Sequence, residues 1–163
     1  MFLTFGIVSI TGPVLGVVVG GNVTAYVGGY NSKTALWLTN IVSLLCLASA
    51  APIAFINSFP LFIALLWLLL FFGGSILPCM TGIMLNTVED RYKTTAMAVA
   101  NLIYNLCGYL PAPMVYGFIY QLGDGNNARE AMAVLMFTPI LCVTFFGLAS
   151  AIIVKNDILG YKK

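Results

Sequence analysis

The sequence predicts an all-α polytopic membrane protein with five transmembrane helices, and three observations carry that prediction. Hydrophobic residues make up 61% of the chain and charged residues only 7%, whereas a soluble domain is about a quarter charged. Mean hydropathy is +1.01. The twelve charged residues are also gathered at a few points: Lys33; Glu89, Asp90, Arg91 and Lys93; Asp124, Arg129 and Glu130; and Lys155, Asp157, Lys162 and Lys163. Between them run uncharged stretches of 32, 55, 30 and 24 residues. A bilayer-spanning helix needs about 20 apolar residues, so each stretch is long enough to cross and the second can cross twice.

Taken in order, the first span covers residues 3–27 and contains Gly12, Gly16 and Gly20 at four-residue spacing. Asn31, Ser32 and Lys33 separate it from the second span, 35–56. The stretch "NSFP" at 57–60 then divides the long apolar run. Ser58 is placed to cap a new helix, and Pro60 is tolerated in a first turn. The third span, 59–86, exceeds one bilayer thickness, so it must tilt or break locally, and "GGSILP" at 73–78 could supply a break. The fourth span is 94–121. The fifth is 128–154, with Asn127 and Glu130 as an expected capping pair. Residues 1–163 form a single membrane domain.

Five crossings place the two termini on opposite faces. Lys33, Arg91, Lys93, Lys155, Lys162 and Lys163 then share the C-terminal face, against Arg129 alone on the other. The positive-inside rule makes the C-terminus cytoplasmic and the N-terminus extracellular or lumenal. That start suits a chain beginning partway through a larger one.

Composition also excludes several functions. Cys46, Cys79, Cys107 and Cys142 fall in apolar stretches and read as inert packing thiols, and there is no histidine. No metal site, cofactor, nucleic-acid partner or enzymatic set of acid, base or nucleophile is expected. Apart from Arg129 and Glu130 at the very start of the fifth span, no Asp, Glu, Lys, Arg or His enters a predicted span. Proton relays or buried counter-charges therefore have to lie outside these residues. The "NVT" sequon at 22–24 falls inside a span and reads as chance. Tyr26, Tyr30 and Trp37 suit an interfacial aromatic belt.

In lipid there is little hydrophobic force between helices, and small residues every fourth position let two backbones approach. Gly12, Gly16, Gly20, Thr24 and Gly28 make such a face on span one. The bland interpretation is helix packing; the sharper one is a helix that slides or rocks against a neighbour. The partner expected there is a missing half of the molecule or another membrane subunit. In span four, Pro111 and Pro113 each remove a backbone donor, with Gly108 and Gly117 on either side. Freed carbonyls in a membrane must be satisfied by neighbouring helices or a wet cavity. A structural kink and a gating or substrate-lining helix are both compatible with that pattern.

The run "CGYLPAPMVYGFIY", with Gly108, Pro111, Pro113 and Gly117 in a P-x-P-x-x-x-G pattern, resembles the eleventh helix of major facilitator superfamily transporters. The resemblance is to the branch holding organic-anion and spinster-like lipid transporters. "VEDRYKTTAMAVANLIYNL" resembles the loop and helix entry before that pattern, and "GPVLGVVVGG" the eighth helix. "GNVTAYVGGY" occupies the place of the G-x-x-x-D-R-x-G-R loop signature, but with Ala25 and Tyr26 at the D-R positions. Gln121 stands where that branch commonly has an aspartate. The resemblance implies that the five spans are helices eight to twelve of twelve, the N-terminal half being absent from these residues. It also implies that span four lines the central cavity while spans two and five are peripheral, facing lipid. Asn101 and Asn105 share one helical face, with Gly108 a turn on and Tyr104 and Tyr109 flanking. These four polar side chains, Asn101, Tyr104, Asn105 and Tyr109, are the candidate substrate or gate contacts. Gly12, Gly16, Gly20, Gly108, Pro111, Pro113 and Gly117 are the candidate packing and gating positions. The implied function is transport of a small organic or amphipathic solute by alternating access. The rival is a non-transporting subunit, a transporter remnant held in a larger complex; a homodimeric pseudo-transporter is a third possibility.

Overall fold

The computed structural model describes residues 2–30, 33–56, 58–122, 128–137 and 139–156. Among these residues the chain is helical apart from short turns, without strands. Five segments are long and apolar enough to cross a membrane: Leu3–Tyr26, Thr34–Ile53, Phe59–Thr87, Asp90–Leu122 and Ala131–Ile152. The chain is an integral, multi-pass membrane protein.

Span one is a single helix, α1 (Phe2–Tyr26). It ends because Gly28 and Gly29 take left-handed backbone (φ 115° and 73°), a region open to glycine without steric cost. The turn is closed by Gly29 N–H donating to the Thr24 carbonyl at 3.0 Å. Gly28 therefore belongs to the cap and does not extend the small-residue face. Span two is α2 (Lys33–Ala50) followed by a 3-10 turn, Ala51–Phe55. Pro52 sits in the first turn of that segment.

Span three is α3 (Phe59–Thr87), 29 residues without interruption. Of the two alternatives, tilt or a break at "GGSILP", the break does not occur. At 1.5 Å per residue α3 measures about 43 Å, longer than a hydrocarbon core of about 30 Å. Tilt, or protrusion beyond the core, takes up the excess. Ser58 is the N-cap residue with Pro60 in the first turn, but its side chain makes no capping hydrogen bond.

Span four begins with a 3-10 turn (Asp90–Tyr92), continues as α4 (Lys93–Ile103), passes through a π-helical turn (Tyr104–Tyr109) and ends as α5 (Pro111–Leu122). The last span consists of α6 (Ala128–Phe137) and α7 (Pro139–Asn156). Asn127 and the side chain of Glu130 lie outside the described residues.

The contacts between helices alternate in sense as successive crossings require. Residues 12 to 24 of α1 meet residues 67 to 79 of α3 in the same order, so the two run parallel. Cys46 lies near Leu69 while Ala35 and Leu36 pack on Ile83, so α2 runs against α3. Phe146 of α7 packs on the same cluster. α2 also lies against α7, joined by Asn40 donating to Ser150 Oγ at 2.9 Å. α2 thus packs one face against α3 and α7, while Trp37, Ile41, Leu44 and Leu45 on its other face stay exposed. Ala35, Leu36, Thr39, Ser43, Cys46 and Ser49 are all buried. Its hydroxyls are satisfied on their own helix, Thr39 by the Ala35 carbonyl and Ser43 by the Thr39 carbonyl, each at 2.8 Å. This removes the penalty of an unpaired polar group in an apolar setting.

Candidate functional site

Two places match the positions singled out in the sequence, and they differ in construction. The first is the seam between α1 and α3. A Cβ added at Gly12 would stand 3.0 Å from Leu70 Cβ, and one at Gly16 would collide with the Phe71 carbonyl. One at Gly20 would stand 2.7 Å from Ser75 Cα. The fit is reciprocal: a Cβ at Gly74 would lie 2.7 Å from the Pro13 carbonyl oxygen. The face expected to receive a missing half or a partner subunit is therefore occupied by α3 of the same chain. Glycine spacing alone could not name the partner, because any helix with small residues in register fits it.

Polar pairs close both ends of the seam. Trp67 Nε1 donates to Thr11 Oγ1 at 3.1 Å, and Thr11 in turn donates to the Ile7 carbonyl at 2.7 Å. At the other end the buried Thr24 hydroxyl lies 2.7 Å from Cys79 Sγ and donates to the Gly20 carbonyl. The sequon threonine is thus buried in the seam. Tyr26 is exposed, as a belt residue would be, whereas the ring of Tyr30 packs directly on Gly82. Cys46 and Cys79 are buried thiols, but Cys107 is exposed, so the expectation of a packing role fails there. The side chain of Cys142 is outside the described residues.

The second place is the middle of span four. Pro111 has no N–H, so the helix cannot continue its regular ladder there. The backbone widens instead: Leu110 N–H donates to the Asn105 carbonyl, five residues back, at 3.0 Å. The resulting π-turn holds Tyr104, Asn105, Cys107, Gly108 and Tyr109. Single π-turns inside helices recur at functional sites, and this one was not foreseen from the sequence. The signal was the P-x-P pair, which fixes where donors are missing but not how the chain compensates.

Asn101, Tyr104 and Asn105 are all exposed. Asn105 Nδ2 donates to the Asn101 carbonyl at 2.8 Å on its own helix. Among the described residues neither asparagine bonds to another span. Tyr109 and Gly108 contribute backbone to the π-turn, and the Tyr109 side chain is outside the described residues. Pro111 and Gly117 are half-buried and Pro113 exposed; a Cβ added at Gly117 would meet nothing within 4 Å. Gly117 is therefore not a close-packing position in this chain. Below it Tyr116 and Tyr120 stack with ring centroids 6.1 Å apart. No residue of α4 or α5 is buried. Leu102, Leu106, Leu110, Met114, Phe118 and Leu122, one every fourth position, are 59% to 70% exposed. Span four thus carries an apolar stripe for lipid or protein, and near it the exposed amides and hydroxyl.

Among the described residues no group of histidine, cysteine or carboxylate side chains could hold a metal ion. No curated protein and no solved structure matches the chain. Residues 56–122, which take in spans three and four, match the sequence model of the Organic Anion Transporter Polypeptide (OATP) family, a family of transporters rather than enzymes and of the major facilitator type; the match supports membrane transport of organic solutes in general.

Proposed function

We propose that this chain is part of the C-terminal half, helices eight to twelve, of a major facilitator transporter of the organic-anion and spinster-like branch. It moves a small organic or amphipathic solute by alternating access, rocking against an N-terminal half. One observation carries the reading: the span bearing the family match also bears a π-turn, two prolines and the exposed set Asn101, Tyr104 and Asn105. Such a turn presents backbone carbonyls and side-chain amides to a solute without placing a charge in the membrane. The parallel α1–α3 pair acts as a rigid body carrying span four. The termini are oriented as the charge pattern indicates, with the C-terminus cytoplasmic.

Cys107 gives a direct test, because it is exposed on the π-turn two residues from Asn105. In membranes containing the native protein, an organic-anion solute should slow maleimide labelling of Cys107, and Asn101→Ala should abolish the protection. Solute-independent labelling, with no uptake into vesicles, would sink the transport reading. The alternative, a non-transporting subunit, is favoured by Ala25 and Tyr26 at the loop-signature positions and by Gln121. It predicts co-purification with a complex in fixed stoichiometry. The intact mass of the native product separates the two: a chain with about seven further spans supports the transporter.

A further inference from the structure

A groove runs from the charged end of span four to the residue before the π-turn. It has a volume of about 430 Å³ and is lined by Met84 of α3, Tyr92, and Ala96, Val99, Ala100 and Ile103 of α4. Its walls are almost wholly apolar, and its one side-chain hydroxyl from α4 is that of Thr95, in the first turn. From residue 92 to residue 103 a helix rises about 16 Å. That is close to one leaflet of hydrocarbon, about 15 Å of a core of about 30 Å.

The charges at the groove are not equivalent. Glu89, Asp90, Arg91 and Lys93 sum to zero, so a long-range field does not favour an anion here. Locally the balance differs. Lys93 Nζ is bound to Asp90, three residues back. Arg91 has no carboxylate partner among the described residues, and its guanidinium carbon stands 5.6 Å from the centre of the Tyr92 ring. Tyr92 is itself a wall of the groove. A cation therefore stands beside the Tyr92 wall of an open apolar groove about one leaflet long. Arginine binds phosphate through a planar fork of donors.

We propose that this groove holds one acyl chain of an anionic phospholipid, with the lipid phosphate on Arg91 and Thr95 and the chain along Ala96, Val99, Ala100 and Ile103. A zwitterionic lipid has the same phosphate but adds an ammonium that Arg91 repels. The site is a structural lipid site at the membrane boundary, inferred without reference to which solute span four contacts. It requires only that the chain spans a bilayer.

The test is native mass spectrometry of the purified full chain, titrated with phosphatidylglycerol or phosphatidylcholine of matched acyl chains. One phosphatidylglycerol should be retained in preference. Arg91→Gln, an exposed substitution that leaves the fold intact, should lower that affinity about fivefold, as expected for one basic residue at an anionic surface. Ala100→Phe, which fills the groove, should lower retention of both lipids, with the melting temperature showing whether the variant is folded. Lys155→Gln, at the C-terminal end of α7, should change little. Equal retention of the two lipids, or equal losses from Arg91→Gln and Lys155→Gln, would show only diffuse surface attraction and overturn the proposal. Unchanged binding in a folded Ala100→Phe would do the same.

Discussion

The α1–α3 seam and span four are both apolar enough to cross a membrane but have opposite constructions. In the seam, small residues on both helices bring backbone against backbone, and the polar side chains there are paired, Trp67 with Thr11 and Thr24 with Cys79. In span four none of the described side chains is buried, the helix changes from α to π and back, and the Asn105 amide bonds its own helix. The difference separates two uses of glycine and proline in a membrane. In the seam glycine creates contact, so dispersion between helices holds the fold. In span four proline interrupts the ladder and leaves a wider backbone turn whose groups face outward. The first region is where substitution should destroy the protein. The second is where it should destroy only function.

The largest expected effect is at Gly16. Gly16→Glu would drive a side chain into the Phe71 carbonyl and bury a charge in the seam. Folded protein should be lost, as read by monodisperse yield after solubilisation; a normally folded, active variant would break the comparison at its root. Next come the neighbouring glycines of α3. Gly74→Ala meets Pro13 backbone and should destabilise by about 1–3 kcal/mol. Gly73→Ala meets nothing within 4 Å and should be neutral, or stabilising by up to about 1 kcal/mol. Thermal unfolding of the two variants side by side would show whether seam contact or glycine itself matters.

A smaller effect is expected at the seam's polar end. Trp67→Phe removes the bond to Thr11 and should cost about 0.6 kcal/mol, the average for such bonds between membrane helices. A double-mutant cycle with Thr11→Ala isolates the pair. The smallest effect on stability is expected in span four, where Asn101→Ala should stay within about 0.5 kcal/mol. Its consequence should appear instead in uptake, as a rise in KM of about two- to tenfold, the worth of one hydrogen bond. A stability loss there comparable to that of Gly74→Ala would mean that span four is packed like the seam, and would remove the distinction.

Much of this was legible in advance from particular residues. The charge gaps located all five spans, and Gly12, Gly16 and Gly20 showed that α1 is pressed along another helix. Asn101 and Asn105 were recognisable as polar groups on a single face. The sequence left tilt and a break at 73–78 both open for span three, because paired glycines look the same whether they interrupt a helix or admit a neighbour. Gly28 was misassigned for a related reason, its left-handed backbone being invisible to a four-residue count. The burial of one face of α2 was missed because its serines and threonines satisfy themselves along the helix, which leaves no pattern pointing to a partner.

The sequence by itself determined that this chain folds in a bilayer, as helices, with five crossings and no charge at mid-membrane in spans one to four. Those facts follow from the cost of unpaired polar groups in hydrocarbon, which acts on each segment alone. Only the tertiary structure decided that α3 fills the glycine face of α1, that α2 sits between α3 and α7, and that span four stays open around a π-turn. These choices depend on which surfaces fit one another, and in lipid every apolar helix is an equally acceptable neighbour until the backbones come close enough to tell them apart.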